Sequence, residues 1–508
     1  MQNKKILNQD ELSFLIKKYK SKGKKIVLCH GVFDLLHLGH IKYFEEAKSF
    51  GDILVVTVTS DKYVNKGPNR PAFNEQNRTE AIAALGIVDF VAINHDLNAV
   101  PAIKKLKPNF YCKGPDYKNS NNDTSGEIFN EINAIKKIKG KVVYTKGETF
   151  SASKIINSLN NTHSTKQKNT LRQIKNKYTF KDIKKLFSKF EKLNVLVIGE
   201  TIIDQYFFCE ALGKSGKEPV LVLRDVKMEE YLGGAAAVSR HLSQFCKKIT
   251  LLTMLGEKAE FLNKIKSDLP KKIKLDFIKK RNAPTILKQR FLDEISNNKV
   301  FGVYKINDEP LTEKNEETFN KKLKKLLKTH QLVIVSDYGH GFISDKSSKI
   351  IRKYSKYLAL NAQVNAANIG YHSMRKYKNI ECVIVNEKEL RHEMRDKNGR
   401  IEILMKKFAL KQKIKNLIVT QGKDGSIFYN KNKNRFCSCD AFAKESLDKV
   451  GAGDAMLSTI ALCLKSGFSD ELSLFSGSLA AAQSVETFAN KDIVNKIKIL
   501  KSIEHIVK

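Results

Sequence analysis

A chain of 508 residues is longer than one ordinary hydrophobic core organises, and it predicts two to four domains. With 42% hydrophobic and 29% charged residues it has the makeup of folded water-soluble protein, and no run reaches the roughly 18 apolar residues of a membrane span. The net charge of +37 is spread as +9 over residues 1–160, +5 over 161–180 and +23 over the rest, mostly as Lys, which argues against the concentrated Arg and aromatic patch of a specific nucleic-acid surface.

After a helix near 10–20, Lys25–Cys29 reads as a strand and Leu38–Ser49 as a helix. A buried strand at Asp52–Thr59 precedes a helix over Gln76–Leu85 and a strand at Val88–Ile93. Helix 101–106, strand Phe110–Lys113, helix 127–138, strand Lys141–Thr145 and a helix from Ser151 complete the alternation. Strand and helix in strict turn predict a parallel sheet covered on both faces, an α/β, Rossmann-like fold over residues 1–160. Residues 161–178 are polar, basic and poor in large apolar side chains, the composition of a linker. A helix at about 180–191 and a strand at Asn194–Gly199 then open a second, larger α/β domain over 179–508, with strands at 250–255, 332–336, 382–386 and 416–420. The eight cysteines are scattered and expected to be reduced, and the CxC of Cys437 and Cys439 lacks the second pair a zinc site needs. No uninterrupted apolar segment follows the first lysines, so a cytoplasmic chain is expected.

The most informative stretch is His30-Gly31-Val32-Phe33-Asp34-Leu35-Leu36-His37-Leu38-Gly39-His40, between a strand and a helix. His37 and His40 are three apart and share one face of a first helical turn, where the helix start and the small Gly39 suit an anion. Two such histidines alone equally suit a packed pair, but in this strand–turn–helix setting the segment resembles the HxGH nucleotidylyltransferases. Together with GDILVVTVTSD (51–61), NRTEAIAALGIVDFV (77–91), KPNFYCKGPDY (107–117) and ETFSASKII (148–156), it resembles the adenylyltransferase domain of the heptose kinase/adenylyltransferase enzymes. The resemblance implies that Gly31, Phe33, His37 and His40 handle the nucleotide phosphates, and that Ser151 and Ser153 close over the nucleotide. It also implies that Arg78 and Lys113 contact substrate. Arg78 equally suits a solvated helix charge, Lys113 a strand-end charge and Ser151 an N-cap. His30 and Pro115 depart from the Asn and Gly common in that family.

Near the C-terminus, Asp448-Lys449-Val450-Gly451-Ala452-Gly453-Asp454 precedes a helical run, so that backbone amides converge on an anion with a carboxylate in the first turn. Gly233-Gly234 before a helix, Ser336-Asp337-Tyr338-Gly339-His340-Gly341, Asn386-Glu387-Lys388-Glu389 and Thr420-Gln421-Gly422-Lys423-Asp424-Gly425 accompany it in an order that resembles the PfkB/ribokinase family. By that resemblance the fold is ribokinase-like, Asp454 is the base and Gly451, Ala452 and Gly453 form the anion hole. Asn386 and Glu389 organise Mg²⁺, Thr420, Gly422 and Gly425 line the ATP site, and Asp204, Gly233 and Gly234 hold the sugar. Asp204 equally suits a loop cap, and Asn386 and Glu389 equally suit residues that start a helix. Lys449-Val450, Ala237 and the stretch 361–372 depart from the family pattern.

The two resemblances together imply a bifunctional sugar-nucleotide enzyme, of the kind that makes activated heptose for lipopolysaccharide, with its domains in reversed order. Its kinase domain would phosphorylate a sugar phosphate with ATP. Its N-terminal domain would join AMP to a sugar 1-phosphate, and the assembly would be a homo-oligomer. Two alternatives stay open: a cytidylyltransferase using CTP on a polyol or other sugar phosphate, and a transferase fused to a non-catalytic sugar-sensing or basic-surface module.

Overall fold

Alternation along the first strand decides how the N-terminal sheet is covered. In β1 (Ile26–Gly31), Ile26 and Leu28 face one apolar core while Val27 and Cys29 face another. The structure, a computed structural model, describes residues 4–64, 70–118, 126–146, 165–364, 368–443 and 446–507. It divides into Met1–His163 with Leu500–Ile506, and Ser164–Ile499 with Val507–Lys508. The helix expected from Ser151, together with Ser151 and Ser153, lies outside the described residues.

In the first unit β2 (Ile53–Thr59), β3 (Phe90–Asn94), β4 (Phe110–Lys113) and β5 (Lys141–Tyr144) join β1 in a parallel sheet of order β3-β2-β1-β4-β5. The direction of winding reverses at β1/β4. In open parallel sheets, ligands bind beyond the carboxyl ends of the strands at such a point. Helix Gln9–Ser21 buries Leu12 and Ile16 on one face, and helix Leu38–Lys48 buries Phe44 and Ala47 on the other. The expected Rossmann-like layering is present.

The second unit contains β6 (Asn194–Gly199), β7 (Thr201–Lys214), β8 (Leu221–Gly234), β9 (Lys248–Gly256), β10 (Ile273–Lys280), β11 (Leu287–Asp293) and β12 (Lys299–Lys305). It continues with β13 (Leu332–Asp337), β14 (Leu358–Ala362), β15 (Cys382–Asn386), β16 (Asn416–Thr420), β17 (Ser426–Asn430) and β18 (Arg435–Cys439). Nine of these form one sheet, β10-β9-β6-β13-β14-β15-β16-β17-β18, parallel except at β17 and β18. The other four make a separate sheet, β12-β11-β7-β8, which the sequence pattern did not announce. The large core is built from β6, β13, β14, β15 and β16 with Phe319, Leu323 and Leu327 of helix Glu313–Thr329. Among the described residues no helix is long and apolar enough to cross a membrane.

The segment expected as a linker, 161–178, differs. Thr165–Lys177 is an α-helix that packs against β18 and the helix Asp470–Val485, with Thr170 Oγ1 donating to the Ser438 carbonyl. Its composition looks disordered because, of its described side chains over 169–177, Thr170 and Ile174 alone are buried and the polar ones other than Thr170 are exposed.

Candidate functional site

At the winding reversal of the first sheet, β1 ends in Gly31 and the chain turns through Phe33, whose φ is +47°. The Phe33 ring is buried against Phe44, 5.0 Å between centroids, and edge-on to His40 at 5.4 Å. A Cβ on Gly31 would stand 3.0 Å from that ring, so this glycine makes room for Phe33. His37 caps the helix: its Nδ1 accepts the Gly39 N–H at 3.0 Å. That bond fixes the tautomer, because an Nδ1 that accepts leaves the hydrogen of the neutral ring on Nε2. The His37 and His40 rings stack with centroids 3.9 Å apart. The Gly39 and His40 amides bond to His37 itself, so at this turn the two imidazoles rather than those amides are the groups offered to an anion.

Two residues expected to touch substrate are turned inward. Arg78 is buried and donates to the carbonyls of Phe73 (3.0 Å), Val32 (2.6 Å) and Thr59 (2.8 Å) and to Asp61 (2.6 Å). It clamps the turn from beneath. Arg78→Met leaves those acceptors unpaired, and about 3 kcal/mol of stability is expected to be lost. A lower first transition in calorimetry, with the C-terminal unit's transition unmoved, checks this. Lys113 is buried against Glu131 at 2.9 Å, and Tyr111 donates to the same carboxylate at 2.9 Å. Burial works against ionising Glu131, but the Lys113 charge prevails and holds it below the usual carboxylate range. Burial, helped by Lys113, pulls the His30 imidazole down to about 4, so it is neutral, with Nδ1 3.0 Å from Thr57 Oγ1.

In the second unit a cleft of about 440 Å³ opens between the four-stranded sheet and the carboxyl ends of the large one. Gly451, at φ +92°, begins helix Ala452–Lys465, and a Cβ there would meet Asn490 Oδ1 at 2.3 Å. Gly451 and Gly453 line the cleft, Ala452 is the first helical residue, and Asp454 sits buried in the first turn. Tyr338 Oη lies 3.0 Å and 3.2 Å from its two oxygens. Burial pushes the Asp454 carboxyl up to about 7; the Tyr338 hydrogen bond opposes this and the Asp204 charge adds to it.

Asp204 and Gly234 also line the cleft. Asp204 is paired with Arg290, and a Cβ on Gly233 would stand 2.3 Å from Asp204 Oδ2, so the bare backbone there makes room for the carboxylate. Asn386 and Glu389 form a capping box: each side chain accepts the other's N–H at 2.8 Å. Glu389 nonetheless faces the cleft, and burial pushes its carboxyl up to about 7. Thr420 is paired in register with Asn386 at the ends of adjacent strands; Gly422 opens a short 3₁₀ turn and Gly425 closes it. Ala237 is buried in helix Ala235–Leu242. From the stretch 361–372, Gln363 and Val364 line the cleft and Asn368 bonds the Tyr338 carbonyl, while 365–367 lie outside the described residues.

Sequence reasoning missed the cations opposite Asp454. Lys288 and Arg290 of β11 and Lys299 of β12 all line the cleft, two residues apart on one strand and across from it on the next. Lys299 reaches Asp448 at 2.6 Å, and Tyr206 donates to the same carboxylate at 2.6 Å. The alternation of Lys288 and Arg290 within APTILKQRFLD was the available signal, and it needed the strand to be recognised first.

The cytidylyltransferase-like family pattern matches residues 28–158, and that of the pfkB family carbohydrate kinases matches residues 192–494. The N-terminal region is 45% identical over 111 residues to the bifunctional protein HldE of Sulfurimonas denitrificans, covering 22% of this chain and 23% of that protein. It is 39% identical over 142 residues to the HldE protein of Aliarcobacter butzleri, covering 27% and 29%. The matched region thus spans about a quarter of those relatives. The phosphofructokinase-2 of Escherichia coli, crystallised with potassium, superposes over its whole length on 62% of this chain with a TM-score of 0.50 at 15% identity, which shows a shared fold. By a match that takes in more than half of its residues, the chain belongs to the pfkB family of carbohydrate kinases, and a cytidylyltransferase-like domain precedes that part of it.

Proposed function

We propose that the C-terminal cleft transfers the γ-phosphoryl group of ATP to a hydroxyl of a sugar phosphate of the heptose 7-phosphate kind, and that the N-terminal turn transfers AMP from ATP to a sugar 1-phosphate. The observation that carries this reading is Asp454, a buried carboxyl in a helix's first turn, beside Gly451 and Gly453 and across a cleft from Lys288, Arg290 and Lys299. Asp454 takes the proton of the attacking hydroxyl while the amides of the helix start hold the moving phosphoryl group. The cations of β11 and β12 suit the phosphate that the sugar already carries. Mg²⁺ bound with ATP would be held by one carboxylate and the ATP phosphates. Glu389, buried on the cleft wall, is the carboxylate that would hold it, and the ion would neutralise charge on those phosphates.

In the N-terminal turn an oxygen of the sugar 1-phosphate attacks the α-phosphorus of ATP, the α–β bond breaks and pyrophosphate leaves. His37, with its Nε2–H fixed by the cap, and His40, stacked on it, donate to the phosphate oxygens as charge gathers there. The relatives named as bifunctional HldE proteins support two activities in one chain. Incubation with ATP and heptose 7-phosphate is the test. ADP formation that depends on the sugar supports the kinase reading, and ATP binding without turnover on that sugar or any sugar phosphate overturns it.

A pH dependence follows. Asp454 must be ionised to accept a proton, so sugar-dependent ADP release is expected to fall about tenfold per unit below a half-maximum near pH 7, and to level above it. Stability runs the other way. A carboxyl raised from 3.8 in the unfolded chain to about 7 in the folded one stabilises the fold most below pH 3.8, and that contribution is lost as the pH climbs through 7.

A further inference from the structure

Tyr338, in the loop after β13, is held from every side. Its N–H donates to Glu200 Oε2 at 3.0 Å, and Glu200 Oε1 accepts the His340 N–H at 3.1 Å, so one buried carboxyl pins the loop twice. The Tyr338 carbonyl accepts Asn368 Nδ2 at 2.7 Å. The Lys288 ammonium lies 5.6 Å from the ring centroid, and a Cβ on Gly234 would stand 3.3 Å from the ring. With its backbone and ring so fixed, the phenol is aimed at the two oxygens of Asp454, at 3.0 Å and 3.2 Å.

We infer that Tyr338 is the positioning residue of the phosphoryl-transfer base: its hydroxyl donates to the Asp454 carboxylate, favours the ionised form and leaves the second oxygen to meet the sugar hydroxyl. The inference rests on reading Asp454 as that base. A phenol has one hydrogen, so it satisfies one carboxylate oxygen at a time and does not block proton uptake by the other. The charged groups facing Asp454 are Asp204 from β7, which opposes its ionisation, and Lys288 from β11, which favours it. Without the phenol, burial and Asp204 are opposed by Lys288 and the helix start alone among the described groups that face Asp454. Burial also pushes the phenol of Tyr338 well above its ordinary range, so it remains a donor wherever the enzyme works.

The test is a titration of the whole chain labelled with ¹³C at the aspartate carboxyls, comparing the wild type, Tyr338→Phe and Asp454→Asn. The resonance missing from Asp454→Asn identifies the base. Its midpoint is expected to rise by about one pH unit in Tyr338→Phe. The acid limb of sugar-dependent ADP release, followed with heptose 7-phosphate, is expected to move by the same amount, with kcat at pH 7 down about fivefold and KM for ATP unchanged. A midpoint that stays within about 0.3 units, or falls, overturns the inference. If Tyr338→Phe does not fold, 3-fluorotyrosine at position 338 replaces it; as a stronger donor it must move the midpoint down, and no movement is equally fatal. The two readings fail separately. Full ADP release by Asp454→Asn sinks Asp454 as the base, whereas an inactive Asp454→Asn beside an unshifted Tyr338→Phe sinks only the role of Tyr338.

Discussion

Asp454→Asn is expected to lower sugar-dependent ADP release by about 10²- to 10⁴-fold while pyrophosphate release by the N-terminal turn stays as it was. The reason is chemical rather than structural. Asn keeps the shape of the carboxyl, and its amide oxygen still accepts from Tyr338, but it cannot take a proton from an attacking hydroxyl. The helix start at Gly451–Gly453 is untouched, so ATP affinity is expected to hold within about threefold and kcat to carry the loss. Burial makes the site costly to leave charged and empty, so Asp454→Asn is also expected to raise the melting temperature by a few degrees at pH 8. Parallel ADP and pyrophosphate assays with a thermal melt check all three.

His40→Ala is expected to do the converse, lowering pyrophosphate release by about 10²- to 10³-fold and leaving ADP release unchanged. His40 stacks on His37 at 3.9 Å and meets the edge of Phe33 at 5.4 Å, so its ring braces the partner ring in addition to the donor role proposed for it. His37→Ala removes the cap on the Gly39 amide as well as the proposed phosphate donor. It is therefore expected to cost about 1 kcal/mol of stability in addition to activity. His37→Asn, whose Oδ1 stands where Nδ1 accepts the Gly39 N–H, is expected to restore the stability but not the rate, which separates the two roles of that ring.

The first unit was readable almost strand by strand because its sheet is covered on both faces. In β2 every residue of Ile53–Thr59 is buried, and such a run is unambiguous between turns. The same holds for the strands of the large second sheet that carry Val195–Ile198, Leu332–Val335 and Leu417–Val419. The four-stranded sheet gave no such signal. In β8 half of Leu221–Gly234 is exposed and charges alternate irregularly with Val and Met, and every residue of β12 is exposed. Such strands are set by their partners rather than by a buried face. That sheet carries Lys288, Arg290 and Lys299, so the cationic side of the cleft was invisible in the pattern, while Asp204 and Gly234 of the same sheet were reached through their motifs.

Motifs singled out other residues that the structure brings to the same cleft. Asn386 and Glu389 are one capping box as well as a cleft wall, so one pair of side chains serves helix start and site together. Arg78 and Lys113, which the resemblance assigns to substrate, are engaged inside the fold, on three carbonyls and Asp61 in one case and on Glu131 in the other. Spacing alone does not tell a buried clamp from a substrate contact, since both need a long cation at the edge of a phosphate site. The partner carboxylates that decide it come from distant segments.

The central claim is that one chain carries two separable phosphate chemistries. The most direct measurement uses Asp454→Asn, which silences the C-terminal cleft, with a panel of sugar 1-phosphates offered in turn with ATP and with CTP while pyrophosphate is followed. The account predicts release with a heptose 1-phosphate and ATP that disappears when His40→Ala is added. Pyrophosphate from no sugar 1-phosphate with either nucleotide, or release that survives the loss of His40, would contradict it.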